Sequence, residues 1–403
     1  MFKFLRHKTR IKTYLFFILF VGIVLWYFFI RVPNYKLEQL RIYFPEESYN
    51  QLSGYADNAL DKGCLKREED DYVPGNIVYR NEMIEGKFRL KGDWLDHVRN
   101  NKWSFRIKLK EEMKDELKVF SVQNPKTRGF LNGYVYYQML KEEGVLTNEF
   151  RYVHLYVNDR SWGVYCLEEH LSSRMMSNQN KPEGVILKFD DMEYFNVAND
   201  ADGNTDGLIK KAEIKLYGGL KNKKKYKSQI QRACDIIRAY QFQTDTVLLN
   251  FDAKVMGDYY ALCDLNTAYH AMGWINIRFY YNFLSQKMEP IGYDPYPIVD
   301  ELKPTLGSNI DAKLPPFETK NIIYRPLKNK AIADEYAKTL NRVSNPQYVQ
   351  NFMNKYMHYL QFLENEIQDK IIEFALNEEN IAFVSKYLKV APIISSIYIN
   401  LNV

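Results

Sequence analysis

Two residues in the middle of the chain have the types and spacing that phosphate chemistry uses. Asn276 lies on a predicted loop, a predicted strand pair follows it, and Asp294 ends the second strand in the segment EPIGYD. In phosphotransferases, an Asn on a loop and an Asp after a strand bind the magnesium ions that neutralise the phosphates. The pattern therefore predicts that Asn276 and Asp294 hold a metal ion.

The residue that would accept a hydroxyl proton is missing from its usual position. Kinase loops place the catalytic Asp five residues before the Asn, and that position is Ala271 here. The neighbouring His270 is the candidate base, because an imidazole changes its charge near neutral pH. A structural His beside a helix end is the alternative, and Asp264 lies too far upstream to be assigned the role.

A second motif has the spacing of a calcium loop. The segment DGNTDGLIKKAE fits D-x-N-x-D-G-x5-E, in which Asp202, Asn204 and Asp206 would supply oxygen atoms and Glu213 would close the coordination shell around Ca2+. Two Lys residues follow the turn, and no clear helix is predicted on either side. A surface loop rich in Asp and Gly is therefore the alternative.

The composition is typical of a globular protein with one large or two coupled domains. The chain has 403 residues, of which 46% are hydrophobic and 26% are charged. The net charge of +5 is small, and the basic run LKNKKKYK is interpreted as a solvated segment, so no nucleic-acid partner is expected. The four Cys form no CxxC pattern, and which of them pair as disulfides stays open.

The N-terminus has the pattern of a membrane anchor. Residues 1–13 are rich in Lys and Arg, and residues 14–30 carry no charge. Seventeen helical residues span roughly 26 Å, close to the ~30 Å of a bilayer core. The positive-inside rule then predicts a single-pass protein with a cytoplasmic N-terminus and an extracytoplasmic body. A buried N-terminal helix is the alternative.

Hydrophobic periodicity predicts that the body begins with strands. Period-two alternation marks strands over residues 86–94 and 102–110. Helical spacing follows over residues 125–144, and residues 149–169 form a predicted hairpin that turns at Asn158-Asp159-Arg160.

The rest of the body is predicted to be mainly helical. Helices are expected over residues 170–176, 225–242 and 253–268, and again over most of residues 331–388. A second hairpin, made by INIRFYYNF and KMEPIGYD, interrupts them, and the apolar end of the chain has the pattern of a strand.

Five segments in this order resemble the spore coat protein H (CotH) kinase family. They are RLKGDW with KWSFRIKLK, YVHLYVNDRSWGVYCLEEH, GVILKFD, WINIRFYYN and EPIGYD, and they cover roughly residues 80–300. The resemblance implies an atypical protein kinase fold that binds ATP and magnesium (Mg2+).

The resemblance also implies roles for individual residues. Asp294 and Asn276 match the metal-binding Asp and the catalytic-loop Asn of the family. Lys108 of FRIKLK is the expected phosphate-binding Lys, and Lys188 of ILKFD is the second candidate. Each has an ordinary alternative role, as a turn residue or as a solvent-facing Lys on a strand.

Two further positions can be compared with the family: the junction between the lobes and the end of the second hairpin. Glu168 or Glu169 is expected at the junction, with a Glu at the start of a helix as the alternative. The family continues with a second acidic residue after the metal-binding Asp, whereas Pro295 follows here. The helix before the first hairpin also lacks a Glu near its middle to pair with Lys108.

The sequence thus predicts an α+β, two-lobed atypical protein kinase-like fold with an N-terminal transmembrane helix. The expected divisions are a basic tail (1–13), a transmembrane helix (14–30), a membrane-proximal segment (31–80), a β-rich N-lobe (81–170), a helical C-lobe (171–330) and a C-terminal helical extension (331–403).

The expected function is binding of ATP and Mg2+ by a kinase-like protein, with phosphorylation of protein or glycan hydroxyls if the site is active. The alternative is an inactive binding or scaffold protein of the cell envelope, whose protein or glycan partner the sequence does not identify. The missing Asp favours this alternative, whereas Lys108, Asn276 and Asp294 favour the enzyme.

Overall fold

The architecture comes from a computed structural model. It describes residues 35–65, 71–99, 102–114, 117–198, 207–217, 224–242, 245–296, 319–367, 371–374 and 397–400, together with positions 19, 20, 22, 205 and 306.

The first half of the chain forms a closed barrel with the strand order β1-β2-β3-β4-β5-β7-β6. Strands β1 and β6 pair in parallel and close the barrel, while the other neighbouring strands are antiparallel. Closure removes the unpaired edges that an open sheet would expose. The strands are β1 (Glu38–Tyr43), β2 (Val73–Tyr79), β3 (Glu82–Leu90), β4 (Phe105–Leu109), β5 (Val119–Gln123), β6 (Phe150–Val157) and β7 (Arg160–Glu169).

Alternating apolar and polar residues determine which face of each strand fills the barrel. On β4, Phe105 and Ile107 are buried in the barrel core, whereas Arg106 and Lys108 point away from it. Successive side chains of a strand lie on opposite faces, so the outer face collects the polar residues. Helix α1 (Glu46–Lys62) adds apolar side chains to the same core.

Strand register aligns a row of polar side chains on this outer face. Arg89 of β3 is opposite Arg106 of β4, which is opposite Ser121 of β5, and Ser121 is opposite Glu168 of β7. Directly opposed residues in antiparallel strands share a face. Arg89 and Arg106 of this row line the pocket described below.

The second half is built on a four-stranded sheet with the order β11-β10-β8-β9. Its strands are β8 (Gly184–Phe189), β9 (Ile214–Tyr217), β10 (Arg278–Asn282) and β11 (Lys287–Ile291). The helices around it are α2 (Leu131–Glu142), α3 (Ser173–Asn178), α4 (Met192–Ala198), α5 (Lys227–Gln241), α6 (Ala253–Leu265), α7 (Thr319–Tyr324), α8 (Lys330–Val343) and α9 (Pro346–Ile367). Short 3-10 helices include Pro125–Arg128 and Tyr269–Met272.

One Tyr-rich core joins α2 to the helices and the sheet of the second half. Tyr136 and Tyr137 of α2 are fully buried, as are Tyr259 and Tyr260 of α6. The elements of the structure confirm the predicted hairpins and the helices around residues 131–142, 227–241 and 253–265. Most of the aromatic residues that the structure describes in the second half lie in this core or pack against it.

The predicted fold class is wrong. The β-rich half is a closed seven-stranded barrel within a mixed α/β chain, because β1 pairs with β2 and also with β6, more than a hundred residues away. A pairing at that separation leaves no local sequence signal. The segment 31–80 contributes β1, α1 and β2 to the barrel.

The membrane helix in that prediction is not supported either. No helix among the residues that the structure describes is long and apolar enough to cross a bilayer. The predicted span 14–30 lies outside the described residues except for positions 19, 20 and 22.

The structure also bears on the C-terminal region and on the Cys residues. Helix α9 ends at Ile367, and Ile371–Phe374 forms strand β12, paired antiparallel with β13 (Ile397–Asn400), so the region 331–388 is not uniformly helical. The strand at the apolar end of the chain is confirmed. All four Cys are free thiols, which answers the open question of disulfide pairing.

Candidate functional site

A large concave site among the described residues lies between the outer face of the barrel and the sheet of the second half. Its volume is about 870 Å3, within the range of small-molecule and cofactor sites. Five residues predicted from the sequence line it: Lys108, Lys188, His270, Asn276 and Asp294.

The other predicted residues lie elsewhere. Glu168 is buried behind the pocket wall, and Glu169 pairs with Arg174 on another side of β7. Of the predicted calcium ligands, Asp202, Asn204 and Asp206 lie outside the described residues. Glu213 does not line the pocket, and its backbone carbonyl accepts from the Asp190 amide.

A buried chain of polar contacts runs from the barrel to the β10–β11 hairpin. Lys91 Nζ donates to Gln123 Oε1 (3.1 Å), and Gln123 Nε2 donates to Glu168 Oε2 (3.0 Å). Arg128 Nε donates to the same Glu168 oxygen (2.7 Å). Arg128 Nη1 then lies 2.8 Å from Asp294 Oδ1. The chain thus ties Asp294, which follows β11, to three barrel strands.

Arg128 is placed by a tight local structure. It ends the 3-10 helix Pro125–Arg128, which begins with the Asn124 side chain accepting from the Lys126 amide. Gly133 in the first turn of α2 packs so closely that a Cβ there would lie 2.1 Å from the Arg128 carbonyl oxygen. Only 2% of the Arg128 side chain is exposed.

The contact between Arg128 and Asp294 is an ion pair without aligned hydrogen bonds. The Asp294 Oδ1 atom and the Arg128 Nη2 atom are both buried, and neither has a hydrogen-bond partner among the described residues. Asp294 also has a positive φ of 47°, and its backbone amide donates to the Tyr137 hydroxyl. A positive φ is uncommon for a non-glycine residue, although Asp adopts it more readily than most.

Electrostatics keep both carboxylates of the chain ionised. Burial raises the pKa of Asp294, but the opposing charges, of which Arg128 is the largest, lower it to about 2. Burial likewise opposes ionisation of Glu168, but Arg128 and Lys91 hold its pKa below the ordinary value. Arg128 therefore interacts with two ionised carboxylates.

Lys91 has a perturbed pKa at the barrel end of the chain. Burial, followed by repulsion from Arg128, lowers its pKa to about 7, while Glu168 acts in the opposite direction. Lys91 lines the pocket, so its charge near neutral pH depends on what the pocket contains.

The pocket is rich in positive charge. Eight Lys and Arg side chains line it, against four Asp side chains. The barrel and its loops supply Arg89, Lys91, Arg99, Arg106, Lys108 and Arg128. The second half adds Lys188 and Arg278.

Two of the barrel cations have uncharged partners. Arg106 Nη1 lies 2.9 Å from His170 Nδ1, and burial together with Arg106 lowers the pKa of His170 far below its usual value, so this imidazole is neutral. Lys108 lies over the Tyr72 ring at 4.3 Å. These charges are therefore not cancelled by the partners that hold the side chains.

The cations of the second half share one carboxylate. Lys188 Nζ donates to Asp191 Oδ1 at 2.9 Å, and Arg278 Nη2 is 3.8 Å from Asp191 Oδ2. Asp191 thus positions two cations at the pocket wall.

The catalytic-loop region differs from that of a kinase. Ala271 is buried in the core, whereas His270 is exposed at the pocket with its ring 5.8 Å from that of Tyr296. Asn276 donates its side-chain amide to the His270 carbonyl at 3.0 Å. Asp264 is buried in contact with Tyr336 and does not line the pocket.

The predicted metal ligands do not fit a magnesium site. Magnesium takes carboxylate oxygens at close range, but the Asp294 carboxylate is paired with the Arg128 guanidinium, which repels a cation. No group of three or more His, Cys, Asp or Glu in the described part of the chain is arranged to hold a metal ion.

Three residues of the site, Lys91, Gln123 and Arg128, are not among those predicted from the sequence. Lys91 could have been found, because it lies in the RLKGDW segment at even spacing from Arg89 and therefore on the same face. Arg128 had no such signal, since it falls within a segment whose spacing indicates only a helix.

The sequence was compared with known proteins. The family described as CotH kinase protein matches residues 88–389, about three quarters of the chain. No curated protein matches the sequence. This chain belongs to the CotH kinase protein family.

Proposed function

We propose that this protein binds ATP in the pocket between the barrel and the second half. The observation that carries the proposal is that eight Lys and Arg side chains, but only four Asp side chains, line this one concave site. A triphosphate carries several negative charges close together, and a cleft lined with cations on both walls attracts it strongly. Membership of a kinase family supports the same ligand.

Aromatic residues provide a surface for the base. Trp94 and Phe195 both line the pocket and contact each other, with ring centroids 6.2 Å apart in an edge-to-face arrangement. Trp94 is 44% exposed, so part of its ring is available for stacking. The triphosphate would then lie towards Arg106, Lys108 and Arg128.

A second candidate function is binding without phosphoryl transfer. Ala271 stands where kinases have the catalytic Asp, and it is buried in the core and does not line the pocket. His270 is the one group of the predicted loop that is exposed and lines the pocket as a possible base. Transfer of labelled phosphate from ATP, lost in His270→Gln, would establish the kinase instead.

Nucleotide binding can be tested by isothermal titration of the whole chain with ATP. Lys108→Gln should weaken binding by about tenfold, since it removes one phosphate-facing charge. Lys110→Gln is the matched control, because Lys110 is two residues away, does not line the pocket and pairs with Glu85 on the barrel surface. Absence of binding at millimolar ATP, with or without metal, would refute the proposal.

A further inference from the structure

We propose that this pocket binds its nucleotide without a divalent cation, and that Arg128 supplies the positive charge that magnesium supplies in kinases. The inference rests on the proposed ATP binding. It concerns the charge that neutralises the phosphates, and it assigns that role to a residue of the chain.

The position of Arg128 is the first argument. Asp294 is the residue that the family resemblance assigns to the metal, and Arg128 Nη1 lies 2.8 Å from its Oδ1 atom. Arg128 also lines the pocket, beside the carboxylate that would have to hold the metal ion. A divalent cation bound to that carboxylate would lie close to the guanidinium and be repelled by it.

The rigidity of Arg128 is the second argument. Its Nε is held by Glu168 at 2.7 Å and its Nη1 also donates to the Thr127 carbonyl at 2.8 Å, so the side chain is fixed from both ends. Its Nη2 is buried without a hydrogen-bond partner among the described residues. Leaving a buried donor without a hydrogen bond costs free energy. A phosphate oxygen is an acceptor that a guanidinium favours.

The pairing of a second pocket carboxylate, Asp191, is the third argument. Asp191 is occupied by Lys188 and Arg278, so it too is paired with cations. Each of these carboxylates therefore orients basic groups. With Arg106 and Lys108 on the barrel side, the pocket can neutralise a triphosphate with its own side chains.

The experiment is a titration of the whole chain with ATP in excess EDTA and, in parallel, with saturating magnesium. We expect Kd values that agree within about threefold, because no metal is needed to bridge the protein and the phosphates. Binding that appears only with magnesium would overturn this inference and leave the proposed function intact. Absence of binding in both conditions would refute the proposed function itself.

Asp294→Asn makes the test sharper, because the two models predict opposite results. If Arg128 supplies the positive charge, the variant should bind ATP in saturating magnesium at least as tightly as the wild type, since a negative charge leaves the pocket. If Asp294 binds magnesium, the affinity for ATP in saturating magnesium should fall by tenfold or more. Asp159→Asn is the matched control, because Asp159 is exposed on the turn between β6 and β7.

A metal-binding measurement covers the case in which Asp294→Asn does not fold. Free Mn2+ gives an electron paramagnetic resonance signal that is lost on binding. Wild-type protein with ATP should lower this signal no more than ATP alone does. A further loss caused by the protein would show a metal site in the complex and overturn the inference.

Discussion

Arg128 Nη1 lies 2.8 Å from Asp294 Oδ1, and the two residues come from opposite sides of the pocket. Arg128 leaves the barrel after β5, whereas Asp294 follows the β10–β11 hairpin of the second half. With Glu168 as the second partner of Arg128, this contact connects the two halves through ionised groups. The pocket geometry therefore depends on the guanidinium.

Replacing Arg128 should destabilise the whole protein. Arg128→Met leaves Glu168 buried with its charge uncompensated, and the expected loss in the free energy of unfolding is about 3–5 kcal/mol. Chemical denaturation followed by circular dichroism measures it. The double variant Arg128→Met with Glu168→Gln should recover part of the loss, because the buried charge is then absent. A loss below about 1 kcal/mol for the single variant would contradict the assigned role.

Lys91 should make the free energy of unfolding depend on pH between about 7 and 10.5. Its pKa is about 7 in the folded protein and 10.5 ordinarily, so between these values the unfolded chain binds a proton that the folded protein has lost. Stability should therefore rise with pH across this window, with a slope approaching about 1.4 kcal/mol per pH unit. Denaturation at pH 7, 8, 9 and 10 measures the slope.

The matched comparison for Lys91 is Lys91→Met, whose unbranched side chain is one atom shorter and has no titrating group. Its stability should vary less with pH than that of the wild type over the same window. Parallel curves for the two proteins would show that Lys91 is charged in the fold and that its pKa is not lowered.

Much of the local structure was predictable, and the pocket was predictable only in part. Alternating residues identified β3 and β4, and the turn at Asn158-Asp159-Arg160 identified the β6–β7 hairpin, because these signals are local. Barrel closure depends on β1 meeting β6, which no local pattern reports. For the same reason the sequence placed Lys108 and Asp294 in one site but could not show that Arg128 lies beside Asp294.

Gly92 should be intolerant of a side chain. Its φ is +106°, and a Cβ there would lie 2.0 Å from the His97 ring, so Gly92→Ala must move a buried ring in the pocket wall. We expect a loss of roughly 1–3 kcal/mol in stability together with weaker ATP binding. Gly144→Ala is the matched control, because Gly144 has a φ of +72° but open space around it. Equal losses in the two variants would attribute the effect to backbone strain alone.

Asp264 should affect stability but not binding. It is fully buried and accepts from the hydroxyls of Tyr336 (2.6 Å) and Tyr269 (2.8 Å), and burial raises its pKa to about 7. The folded protein therefore keeps a proton that the unfolded chain loses above pH 4, and stability should fall as pH rises from about 4 to 7. Asp264→Asn does not ionise, so it should remove this contribution while the Kd for ATP stays unchanged. Weaker ATP binding by a folded Asp264→Asn protein would mean that Asp264 acts on the pocket, although it lines no part of it.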